Sequence, residues 1–121
     1  NVHSWLRADQ AEMMFSAIAG TLKPGGVLGI VQHRGNDGLT LEQMKKSAYV
    51  TEAKVIELAE LAGLELDARS EINANPQDTK DYPRGVWTLP PTLAEGDKDR
   101  DRFMAIGESD RMTLRFVKPS D

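Results

Sequence analysis

The chain has 121 residues, 40% of them hydrophobic and 28% charged, which suits one globular domain with one core and argues against wholesale disorder. Fifteen Lys and Arg against nineteen Asp and Glu leave a net charge of -4, so no basic surface is advertised for nucleic acid or anionic lipid. The absence of cysteine excludes disulfides, thiolate zinc sites and cysteine nucleophiles, and two histidines are too few for a multi-histidine metal site, so no metal is expected. No apolar run approaches the ~20 residues that span a bilayer, and no membrane contact is expected.

The chain opens Asn1-Val2-His3-Ser4-Trp5, without an initiator Met or a signal-peptide pattern. It reads as the interior of a longer protein, so the compartment is unknown from the sequence. The first strong element is a helix over residues 9–22. Ala11, Met14, Phe15, Ile18 and Leu22 recur at the spacing of a stripe laid against a sheet, and Asp9 with Glu12 suggests a capping box. Lys23-Pro24-Gly25-Gly26 stops it. Val27-Leu28-Gly29-Ile30-Val31 follows as an apolar run without alternation, the pattern of a strand buried on both faces. Gln32-His33-Arg34 ends it, and residues 39–49 hold a short helical turn capped by Thr40.

Thr51 is the expected N-cap of the next helix. Val55, Leu58, Ala59 and Ala62 form its buried stripe, and Gly63 sits where a C-terminal cap belongs. Residues 64–72 alternate, which predicts a strand with one wet face at the edge of a sheet. Residues 73–98 carry four of the six prolines and little periodicity, yet Tyr82, Val86, Trp87 and Leu89 favour an ordered lid over a loose linker. The charged run 97–102 predicts a solvated helix start leading to Phe103, Met104 and Ile106, and residues 112–117 a closing strand. The first two strands, joined through a helix, should run parallel, and the last should pair antiparallel. Together these elements predict the closing half of a doubly wound α/β sheet.

An amphipathic helix ending Leu22-Lys23-Pro24-Gly25-Gly26, followed by an apolar strand starting Val27-Leu28, resembles the region before the fifth strand of class I S-adenosylmethionine-dependent methyltransferases. The terminal strand ending Phe116-Val117-Lys118-Pro119 looks like the reversed seventh strand that separates this fold from dinucleotide-binding Rossmann domains. More narrowly, three stretches resemble a bacterial family of predicted class I methyltransferases of unknown substrate: Asn1 to Trp5, Glu71-Ile72-Asn73-Ala74-Asn75-Pro76, and Gly107 to Leu114. The likeness runs from residue 1 to residue 119. It implies a Rossmann-like fold class with strands 5, 6 and antiparallel 7 and their flanking helices, as the C-terminal part of one methyltransferase domain. Residues 73–110 would form a lid-like insertion. It also implies S-adenosylmethionine as cofactor, held mostly by a glycine-rich half that residues 1–121 do not contain, so that this fragment alone is expected to be inactive.

Ligands of open α/β sheets sit beyond the carboxyl ends of the parallel strands, where Asn1 to Trp5, residues 32–34, Glu71, Asn73 and the long connection should converge. The resemblance therefore makes Asn1, His3 and Trp5 candidate cofactor contacts and His3 and His33 candidate catalytic bases, imidazole titrating near neutrality. Arg34, Glu71, Asn73 and Trp87 are candidate contacts to a small-molecule substrate. Each has a bland alternative. The histidines could only bond backbone, Trp5 and Trp87 only pack, Arg34 be solvated, and Glu71 and Asn73 only turn the chain. Asp110 and Arg111 suggest an internal ion pair. A second class of function is a non-catalytic, self-associating or partner-binding module, because an apolar strand at 27–31 would leave an open edge that favours homo-oligomers.

Overall fold

The computed structural model describes residues 1–120 and shows an α/β fold with a three-stranded antiparallel sheet and flanking helices. Two helices come first, α1 (Val2–Arg7) and α2 (Ala11–Thr21). Strand β1 (Val27–His33) leads into α3 (Leu41–Ser47) and α4 (Glu52–Leu61), and then β2 (Glu65–Ser70). A long connection with a 3-10 turn at Gly85–Thr88 follows, then α5 (Arg100–Ile106) and β3 (Arg111–Val117).

The sheet order is β1-β3-β2, with β3 antiparallel to both neighbours. β1 and β2 therefore run in the same direction, as expected of strands joined through helices, but they do not pair, because β3 lies between them. The register sets Ile30 opposite Leu114 and Leu28 opposite Phe116 on the face that meets the helices. Phe15 and Ala19 of α2, Val55, Leu58 and Ala59 of α4, and Met112, Leu114 and Phe116 of β3 join them in one core. Phe116 is wholly buried there, so truncation to alanine costs about 3–5 kcal/mol.

β1 corrects the expectation of a strand buried on both faces. Val27 and Val31 are 56% and 50% exposed, because side chains alternate across a strand and only the Leu28–Ile30–Gln32 side meets the helices. An apolar run signals burial on both faces only when helices cover both. β2 is the wet edge strand expected, with a bulge between Leu66 and Ala68 that frees Asp67 to pair with Arg115.

The caps divide. Thr40 and Gln43 form a reciprocal capping box at α3, and Thr51 accepts the Lys54 N–H at α4. Gly63 follows α4 at φ +89°, the left-handed position that glycine tolerates. The Asp9–Glu12 box is absent. Gln10 is the N-cap of α2 without a side-chain bond, while Asp9, itself at positive φ, reaches Lys45 at 2.8 Å. Val2 to Trp5 belongs to α1, which starts where the Asn1 carbonyl accepts the Ser4 and Trp5 N–H groups.

The long connection is ordered by two small apolar clusters. Tyr82 and Leu89 pack on Phe103, and Val86 packs with Ala48 and Tyr49. Gly85 lies against the backbone of Ser47, where a Cβ would collide. This docks the 3-10 turn onto the end of α3 and carries Trp87 toward the carboxyl end of β1.

Candidate functional site at the carboxyl end of β1

Three consecutive residues leave β1 in different surroundings, and each recruits a different cluster. Gln32 is buried on the core side. Its Oε1 accepts the His3 backbone N–H at 3.3 Å, and its Nε2 donates to the Ala48 carbonyl at 3.1 Å. The same Nε2 lies 3.2 Å from Nδ1 of His3, and so fixes the ring on α1 to the sheet.

His33 points the other way along the strand, and its Nδ1 meets Oγ of the buried Ser109 at 2.5 Å. The two imidazoles lie side by side, with centroids 5.3 Å apart and planes tilted by 54°. Trp87 stands edge-on to His3 at 6.4 Å, and the Arg7 guanidinium lies 5.0 Å from the Trp87 ring centre. Burial lowers the pKa of both histidines. For His33 the positive charge of Arg111 and the neighbouring His3 add to it, and its pKa falls to about 4. Both rings are thus neutral near pH 7.

Arg34 anchors the third cluster, and the solvated alternative for it is corrected. Its Nε and one terminal nitrogen form a fork on Asp110, at 2.8 and 2.9 Å. Two further donors grip Glu71 at 3.1 and 2.7 Å, and the last reaches Glu52 at 3.2 Å. A guanidinium has five N–H donors, and these five bonds use them all. Arg34 therefore has every donor paired within the fold, and Glu71 is one of its partners.

Asp110 also takes Lys80 at 2.9 Å and the Asn75 N–H at 2.8 Å. Burial pushes its carboxyl up, but Arg34, Lys80 and the Asn75 N–H outweigh that and hold it well below the ordinary carboxylate range. The expected Asp110–Arg111 pair is likewise corrected, because alternation turns Arg111 to the opposite face, where it meets Glu108 at 3.2 Å. Beneath the cluster Asp78 accepts the Tyr49 hydroxyl and the Asp110 and Lys80 N–H groups, tying the long connection to the start of β3. Burial, and next the Asp78 charge, hold the Tyr49 phenol protonated well above its ordinary range.

The remaining candidates scatter. Trp5 packs edge-on against Phe15 at 6.0 Å and against the main core, a packing role. Asn73 bonds Thr113 at 2.7 Å, and its carbonyl accepts the Arg111 N–H, which fastens the end of β2 to β3. Asn1 serves as the N-cap of α1 through its carbonyl. Of the candidates named from the sequence, the structure gathers His3, His33 and Trp87, and binds Arg34 and Glu71 to each other.

Gln32 was placed at this end of the sheet by the sequence, but its partners, and the parts played by Ser109, Asp78, Tyr49 and Lys80, were not legible. Their partners lie 16 to 76 residues away in sequence, and no local pattern marks such pairs. Among the described residues no group of three or more His, Asp or Glu could hold a metal, and no helix is long and apolar enough to cross a membrane. No family model, curated protein or solved structure matches the chain.

Proposed function

We propose that this chain is the substrate-side part of an S-adenosylmethionine-dependent methyltransferase acting on a small molecule. The observation that carries the reading is the direction of β3, a closing strand antiparallel to two strands that share one direction, as the family resemblance implies. The gathering of His3, His33 and Trp87 beyond the carboxyl end of β1 is consistent with it, since that end of an α/β sheet is where ligands bind.

On this reading a glycine-rich segment outside residues 1–121 holds most of the cofactor, and the ordered connection around Trp87 covers the acceptor. The chain extended upstream of Asn1, given S-adenosylmethionine and a pool of small acceptors, is expected to release S-adenosylhomocysteine. No release above background across acid, amine and hydroxyl acceptors overturns the assignment.

A second reading, compatible with the first, is self-association through β1. The outer edge of β1 carries neither charge nor proline from Val27 to Gln32, whereas β2 carries Glu65, Asp67, Arg69 and a bulge, features that blunt an edge. Antiparallel pairing with a second copy about Gly29 sets Val27 against Val31 and Leu28 against Ile30, so the strand is its own apolar complement. Light scattering of these 121 residues is expected to give a dimer that Val31→Lys converts to monomer. A monomer at millimolar concentration counts against it.

A further inference from the structure

Ser109 is 4% exposed, and its hydroxyl has a single hydrogen-bond partner among the described residues, Nδ1 of His33. A buried hydroxyl proton needs an acceptor, and the only one in reach is that nitrogen. Donation from Ser109 requires a lone pair on Nδ1, and this puts the ring proton of His33 on Nε2.

The same bookkeeping applies to His3. The Ala48 carbonyl and the His3 backbone N–H fix which end of the Gln32 amide is nitrogen. One Nε2 hydrogen of Gln32 remains, 3.2 Å from Nδ1 of His3, while Oε1, at 3.3 Å from that nitrogen, already accepts the backbone N–H.

We propose that Ser109 and Gln32 hold His33 and His3 with their protons on Nε2, so that the pair binds a carboxylate oxygen of the ligand as hydrogen-bond donors and does not remove a proton. The identity of the ligand oxygen follows from the surrounding charge. The side chains whose charge bears on the two rings are Arg7, 5.0 Å from the Trp87 ring centre, and Arg111, which Glu108 meets at 3.2 Å. Trp87 supplies an apolar wall beside His3. Neutral donors flanked by cations favour an anionic acceptor, and neutral rings spare the cost of burying two more charges. This inference rests on the reading that this end of the sheet faces the substrate, but it specifies chemistry opposite to the base role that the sequence suggests for both histidines.

The test is nitrogen-15 NMR of the imidazoles in the 121-residue chain at pH 7, with acetate as the probe. Both rings are expected to show a protonated Nε2 and an unprotonated Nδ1, and acetate is expected to shift both Nε2 resonances in a saturable way that equimolar chloride does not reproduce. A proton on Nδ1 of either ring, or no saturable shift with acetate, overturns the proposal. Ser109→Ala adds an independent check. Loss of the donor is expected to mix the His33 tautomers, whereas Ser109→Thr keeps the wild-type pattern. An unchanged His33 in Ser109→Ala also overturns it. These readouts need no methyl transfer, so their failure and the failure of the enzyme assignment are separately visible.

Discussion

Two clusters built from neighbouring residues of β1 differ in what they have left to give. Arg34 has spent every donor on Asp110, Glu71 and Glu52, whereas His33 and His3 each have one ring nitrogen committed and no partner at the other. The more highly charged cluster has its cationic donors saturated within the fold, and the neutral one keeps hydrogen-bonding capacity free. The useful quantity is the hydrogen-bonding capacity that remains after the fold has taken its share.

Breaking the scaffold should have the largest effect. Asp110→Ala leaves Arg34 and Lys80 facing each other without their buried counter-charge and orphans the Asn75 N–H. The expected loss is about 3–5 kcal/mol in urea unfolding. A loss under about 1 kcal/mol, the usual worth of an exposed ion pair, would mean that the cluster is decorative.

The neutral side should reveal itself through pH. The folded-state pKa of His33 lies below its unfolded value, so its contribution is complete above pH 6.5 and is lost as pH falls toward about 4. His33→Ala should flatten the stability profile across that window. Asp110 is depressed as well, but its contribution is lost only at more acid pH, below the ordinary carboxylate value of 3.8. The two groups therefore titrate in separate ranges, and a profile in which His33→Ala alters only the range below pH 4 would contradict the assignment. The smallest effect is expected from Glu71→Gln. That carboxylate is 66% exposed, and Arg34 keeps its fork on Asp110 without it, so the unfolding midpoint should move little.

Much of the secondary structure was legible, for local reasons. Thr40, Thr51 and Gly63 mark helix ends by chemistry confined to three or four residues, and the alternation of residues 64–72 places β2 at an edge. Asp9 shows the limit of such signals, since it satisfies the capping pattern with Glu12 but spends its carboxylate on Lys45, 36 residues away. β1 shows another limit. Val27 and Val31 are as apolar as Leu28 and Ile30, and nothing within the strand says which side the helices of this chain will cover.

The site was legible only in part. His3, His33 and Trp87 stand out by residue type, and their meeting follows from both ends of the long connection returning to the carboxyl end of β1. Ser109, the partner of His33 Nδ1, lies 76 residues from it and looks like any loop serine. The structure supplied the partners of the histidines, while the donors of Arg34 are consumed by the fold.

The most direct measurement is S-adenosylhomocysteine release by the chain extended upstream of Asn1, compared between wild type, His33→Ala and Glu71→Gln at matched folded concentration. The account predicts a loss of about 100-fold for His33→Ala, the scale of removing one preorganised donor, and a change of no more than about threefold for Glu71→Gln. Equal losses in the two variants, or an unaffected His33→Ala, would contradict the division between scaffold and site.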